Sequence, residues 1–125
     1  MASPSHTILL VDDDELVRES MAMMLEALGF VVHTRSSGEA ALQSMESCAP
    51  DLVILDQNMP GMGGMAALEV MRGQRPELPV ILATGRVDDT TLKLLDPYPG
   101  VALVPKPFTL QELNLHLTAM LATSP

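Results

Sequence analysis

The amino-acid sequence predicts an α/β fold: a five-stranded parallel sheet flanked by five helices. Three observations carry that expectation. Five short apolar runs recur along the 125 residues, each followed by a stretch with helical spacing. Three of the runs are nearly unbroken Ile, Leu and Val, the composition of strands covered on both faces. Strands that alternate with helices close into a parallel sheet through right-handed crossovers.

The first strand is Thr7 to Val11. A helix from Glu15 to Leu28 follows, with Leu16, Met24, Leu25 and Leu28 on one stripe and Gly29 as its stop. The second strand, Val31 to Thr34, ends in Thr34-Arg35 and suits a sheet edge. Ser36 with Glu39 makes a capping box for a helix to about Ser47. Leu52 to Leu55 is the third strand, and Gly64 to Arg72 the third helix. Val80 to Ala83 is the fourth strand, before a short helix from Asp88 to Leu95 that Pro97 ends. Val101 to Val104 is the fifth strand. Thr109 with Glu112 makes a second capping box, opening a helix through Leu113, Leu117 and Leu121. No repeat, low-complexity tract or linker interrupts the pattern. Residues 1–125 read as one domain with a core over about 6–121, the first five and last four residues being loose.

Composition narrows the function. The chain is 47% apolar, enough for a core, with ten methionines and only Phe30, Tyr98 and Phe108 as aromatics. Sixteen carboxylates against seven Lys and Arg give a net charge of -9, which repels phosphate backbones and argues against direct nucleic-acid binding. The single Cys48 allows no internal disulfide and suits a reducing compartment. No apolar run approaches the roughly 20 residues that span a bilayer, and Met1-Ala2-Ser3-Pro4 opens no signal peptide. A cytoplasmic location without membrane contact is expected.

Parallel sheets bind ligands beyond the carboxyl ends of their strands. There the first run ends in Asp12-Asp13-Asp14, the third in Asp56, the fourth in Thr84 and the fifth, after Pro105, in Lys106. Singly these have ordinary readings: Asp14 as a helix cap, Asp56 as another, Thr84 as a turn residue, Lys106 as a solvated surface lysine. Together they converge on one small volume. Adjacent carboxylates raise each other's pKa unless a cation intervenes, and hard oxygens with one lysine suit Mg²⁺. A carboxylate beside Mg²⁺, a hydroxyl and an ammonium is arranged to attack phosphorus and hold phosphoryl oxygens.

At these motifs the chain resembles the response-regulator receiver family, from His6 to Leu121. The matching stretches are Leu10 to Asp14, Asp51 to Asp56, Asn58 to Gly64, Val80 to Gly85 and Lys106-Pro107-Phe108. The resemblance implies the strand order 2-1-3-4-5 and a phosphoacceptor, Asp56, serving a phosphohistidine donor on a histidine kinase or phosphotransfer domain. It implies Asp12, Asp13, Asp56 and the backbone carbonyl of Asn58 around Mg²⁺, and Thr84 and Lys106 on the phosphoryl group. A cis Lys106–Pro107 bond and a homodimer through the face of the fourth helix, fifth strand and fifth helix are further family features. Such a module phosphorylates and dephosphorylates itself and is not a conventional turnover enzyme.

The chain departs from the family in three places. Leu103 stands where an aromatic ring usually turns inward as the threonine moves, and Leu95-Asp96-Pro97-Tyr98-Pro99-Gly100 replaces an Ala-Gly turn. Thr84-Gly85-Arg86 replaces the commoner Thr/Ser-Ala pair, and Arg86 sits where the family modulates dephosphorylation. Other functions meet specific obstacles. A flavin mononucleotide carrier needs a Ser/Thr/Gly-rich phosphate loop where Asp12-Asp13-Asp14-Glu15 stands. A haloacid-dehalogenase phosphatase needs Asp-x-Asp at the first strand end and a cap region. A non-switching pseudo-receiver that only scaffolds partners would lack Asp56, Lys106 or the acid pair.

Overall fold

Ten elements alternate along the chain: β1 (Thr7–Val11), α1 (Glu15–Ala27), β2 (Val31–Arg35), α2 (Gly38–Cys48), β3 (Leu52–Asp56), α3 (Gly64–Gln74), β4 (Val80–Thr84), α4 (Asp89–Leu94), β5 (Val101–Pro105) and α5 (Leu110–Ala122). This computed structural model describes residues 6–59, 61–85, 89–106 and 108–122. Asp88, Arg86, the Lys106–Pro107 bond and the chain ends 1–5 and 123–125 lie outside the described residues. Ala122, expected in the loose tail, closes α5.

All neighbouring strands run parallel, in the order β2-β1-β3-β4-β5. Side chains alternate across a strand, so each strand feeds two cores. Leu9, Val11, Val53, Leu55, Val80 and Leu82 pack with Ala41 and Met45 of α2 and Ala67, Leu68 and Met71 of α3. Ile8, Leu10, Leu52, Ile54, Ile81 and Val104 pack with Met21 and Leu25 of α1 and Leu113, Leu117 and Leu121 of α5. That division explains the unbroken apolar runs of β1, β3 and β4. β2 is more exposed, as its place at the edge requires.

Boundaries differ from the sequence expectation in a regular way. β2, β3, β4 and β5 each continue one residue past the apolar run, through Arg35, Asp56, Thr84 and Pro105. The ladder is made by backbone groups, which do not distinguish Leu from Asp. Asp56 pairs with Ala83, and Thr84 with Pro105. This extension anchors the polar strand ends to the sheet.

Three helix assignments are corrected. On α1 the buried residues are Met21 and Leu25, whereas Leu16 is 75% exposed. Nine residues separate Leu16 from Leu25, about two and a half turns, which places them on opposite sides. The N-cap of α2 is Ser37, not Ser36: its hydroxyl accepts from the Ala40 N–H at 3.1 Å. Glu39 therefore reaches elsewhere, to the Met62 N–H at 3.4 Å. α3 runs on to Gln74 past Arg72. The capping box of α5 forms as read, Thr109 and Glu112 exchanging bonds of 3.0 Å. No helix among the described residues is long and apolar enough to cross a membrane.

Candidate functional site

The alternation that divides the core also gathers the polar strand ends. Asp12 continues the face of Ile8 and Leu10, Asp56 that of Leu52 and Ile54, and Lys106 that of Val104. All three thus fall on the α1/α5 side at the carboxyl edge. The Lys106 Nζ lies 3.1 Å from Asp56 Oδ1 and 3.5 Å from Asp12 Oδ2. One carboxylate oxygen each from Asp12, Asp13 and Asp56 lie within 4.8 Å of one another.

The three consecutive acids divide into separate jobs. Asp12 is buried, its N–H donating to Arg35 O at 3.2 Å and its Oδ1 accepting from the Asp14 N–H at 2.9 Å. Asp14 caps α1, accepting from the N–H groups of Leu16 and Val17 at 3.0 and 3.2 Å. Asp13 is exposed between them and contributes its oxygen to the cluster. Asp56 is buried, and its Oδ1 also accepts from the Asn58 N–H at 3.2 Å.

Burial pushes the Asp56 carboxyl above the usual carboxylate range and the Asp12 charge adds to this, although the Lys106 and Asn58 hydrogen bonds oppose it. Burial alone would lower Lys106, but its bond to Asp56 and the charges of Asp12 and Asp56 hold it above the ordinary lysine value. One lysine does not offset three carboxylates. Three hard oxygens at this spacing could therefore hold a second cation of the Mg²⁺ or Ca²⁺ type.

The raised Asp56 value fixes a pH response. A carboxyl that holds its proton more tightly when folded makes the fold lose stability as pH rises from the unfolded value through the folded one. Without metal, Asp56→Asn should melt above the wild type near neutral pH. That gap should close as pH is lowered toward about 4, as melting curves of both proteins would show.

Thr84, the last residue of β4, is buried and differs from the other three. It continues the face of Val80 and Leu82, on the α2/α3 side. Its carbonyl accepts the Lys106 N–H at 2.6 Å, which ties the β4 and β5 ends together. Of the residues singled out from sequence, Asp12, Asp13, Asp56 and Lys106 come together. Asn58 follows in the loop, and Thr84 ends the adjacent strand with its side chain on the alternate face.

Two contacts at the site escaped the sequence reading. Arg18 Nη1 donates to the Asp12 carbonyl at 2.8 Å, bracing the acidic turn. It lies on the buried stripe of α1, three residues before Met21 and seven before Leu25, so a register centred on Leu25 would have found it. Gly64 packs its α-carbon onto the end of β3. A Cβ there would lie 2.6 Å from the Asp56 carbonyl oxygen and 2.7 Å from Gln57 Cα.

The family profile of the response regulator receiver domain matches residues 8–118. Response regulator MprA of Mycobacterium tuberculosis is 36% identical over 115 residues, which are 91% of this chain and 50% of that protein. Sensor kinase CckA of Brucella abortus is 34% identical over 121 residues, covering 95% of this chain and 13% of that protein. The chain thus spans half the length of the one relative and a small part of the other. Chemotaxis protein CheY4 of Vibrio cholerae has the same fold, with a TM-score of 0.88 over 94% of this chain and 99% of that one at 24% identity.

Proposed function

The chain belongs to the response-regulator receiver family, and on that premise we propose that it accepts a phosphoryl group onto Asp56 from a phosphohistidine. Receiver domains partner with sensor kinases and generally bind Mg²⁺. One observation carries the finer reading: a buried Asp56 carboxylate 3.1 Å from Lys106, with oxygens of Asp12 and Asp13 beside it. Asp12, Asp13, Asp56 and the Asn58 carbonyl would hold the Mg²⁺, which supplies charge neutralisation and orients phosphoryl oxygens.

The chain's own groups do the rest. Asp56 Oδ1 accepts from both Lys106 and Asn58, which leaves Oδ2 to attack phosphorus. The new Oδ2–P bond forms as the donor's P–N bond breaks, and its electron pair returns to the imidazole nitrogen. Lys106 then pairs with a phosphoryl oxygen, and the Thr84 hydroxyl turns from its own face of the sheet to meet another. The product adds roughly 1.5 to 2 negative charges to the cluster. An apolar groove of about 420 Å³ between α1 and α5, lined by Leu16, Val17, Met24, Phe108 and Leu113, adjoins Lys106. Apolar surface beside the cluster favours a protein donor over a small metabolite.

Asp13 offers a test of the metal reading. It neither caps α1 nor is buried, so Asp13→Ala should leave the fold intact and weaken Mg²⁺ binding about tenfold or more. Relief of carboxylate repulsion should leave the metal-free melting temperature unchanged or slightly higher. A titration of both proteins with Mg²⁺ checks this; equal affinity would place the metal elsewhere.

Beryllofluoride, a phosphoryl mimic, tests the switch. With Mg²⁺ it should bind the wild type and shift the amides of Thr84, Gly85 and α4. The response at β5 and α5 should be smaller, because Leu103, in register with Leu82, has no ring to reorient. Equal shifts across β5 and α5 would show that Leu103 is no impediment, and Tyr98 would become the first candidate for the coupling residue.

A further inference from the structure

Asp12 and Asp13 are joined by a single peptide, and a side chain from α1 holds it. β1 ends at Val11, so the Asp12 carbonyl has left the strand. The donor that meets it is Arg18 Nη1, at 2.8 Å. On the other side of the residue, the Asp12 N–H donates to Arg35 O on β2 at 3.2 Å. Asp12 is therefore tied through both of its backbone groups, one to the sheet and one to the helix.

The guanidinium is itself carried on a fixed frame. The Arg18 N–H donates to Asp14 O at 2.9 Å, in the turn that Asp14 caps. Met21 and Leu25, on the same stripe, seat α1 on Ile8, Leu10, Leu52 and Ile54. Arg18 is half-buried, and a charged donor makes a stronger bond to a carbonyl than a neutral one does. The carbonyl belongs to the planar peptide unit between Asp12 and Asp13. Turning that plane would move one carboxylate against the other. Asp12 has restraints of its own, since its Oδ1 accepts from the Asp14 N–H at 2.9 Å and its Oδ2 lies 3.5 Å from Lys106 Nζ. Asp13 is exposed, and the plane before it sets where its side chain begins.

A fixed spacing of oxygens has a chemical consequence. Mg²⁺ demands near-ideal octahedral geometry, whereas Ca²⁺ accepts flexible arrangements with more ligands. A positive charge nearby, by contrast, repels both dications alike. Resting on the metal site proposed above, we infer that Arg18 is a positioning residue that confers selectivity for Mg²⁺ over Ca²⁺ by fixing the peptide between Asp12 and Asp13. It acts through the two acids and is not a ligand. Loosening the plane costs the ion that needs exact geometry more than the ion that adapts.

The test uses Arg18→Met and Arg18→Gln in the full chain, each titrated separately with Mg²⁺ and with Ca²⁺ by calorimetry. Circular dichroism sets a temperature at which the proteins are folded, and either variant alone suffices for the measurement. Both side chains end short of the carbonyl and neither carries the charge. The ratio of Mg²⁺ to Ca²⁺ affinity should fall about fivefold, the equivalent of one net hydrogen bond. Ca²⁺ affinity itself should stay level or rise, because a repelling charge has gone. A ratio within about twofold of wild type, with both affinities rising or falling together, would overturn the inference. Arg18 would then be only a charge near the cluster or a brace of the fold. Wild-type protein that binds neither ion would instead remove the metal reading, and this inference with it.

Discussion

Gly64→Ala is expected to lower the stability of the fold by about 2 kcal/mol or more, roughly 10 °C in melting temperature. The added methyl would lie 2.6 Å from the Asp56 carbonyl oxygen, 2.7 Å from Gln57 Cα and 3.0 Å from Leu82 Cδ1. The first two are backbone atoms of the strand end and cannot turn aside as the tip of a flexible side chain would. Relaxation must therefore move α3, or the backbone carrying Asp56, and uptake of a phosphoryl group should slow with the loss of stability. Gly73, on the same helix, is the control. A Cβ there meets nothing within 4 Å, so Gly73→Ala should stabilise the protein by about 0.5–1 kcal/mol through helix propensity. Thermal melts of the three proteins check both signs. Equal stability of Gly64→Ala and wild type would show that the end of β3 is looser than its packing implies.

Asp56→Asn is expected to reduce labelling by acetyl phosphate or phosphoramidate with Mg²⁺ to the level of the metal-free control. The carboxamide keeps the shape of the side chain, and its oxygen can still accept from Lys106 and Asn58, but it lacks a nucleophilic carboxylate oxygen. Because the substitution also removes a buried anion, the variant should fold and, without metal, melt higher than the wild type near neutral pH. Lost labelling in a protein that melts higher separates a missing nucleophile from a broken fold. Labelling equal to wild type would move the acceptor to Asp12 or Asp13.

Much of this was legible in the sequence because it depends on short-range regularity. Continuous apolar runs marked the covered strands, and the polar residue ending each run marked the edge where Asp12, Asp56, Thr84 and Lys106 stand. Thr109 and Glu112 declared their capping box by spacing alone. The misread elements are those where several local patterns are compatible and tertiary packing selects one. Leu16 and Leu25 are both apolar, yet only Leu25 faces the sheet, and the register that buries it also carries Arg18 to the Asp12 carbonyl. Ser36 and Ser37 are both competent caps, and Ser37 is the one that leaves Glu39 to meet Met62. The packing role of Gly64 was silent for another reason. It lies in contacts with the backbone of β3, which no local pattern records.

The position of the acyl phosphate tests the central claim most directly. Wild-type protein labelled with acetyl phosphate and Mg²⁺ can be reduced with borohydride, which converts an aspartyl phosphate to homoserine, and then mapped by peptide mass spectrometry. The geometry predicts homoserine at residue 56 alone, and none when Mg²⁺ is withheld. Homoserine at residue 12 or 13, or labelling of residue 56 that persists at full rate without Mg²⁺, would contradict it.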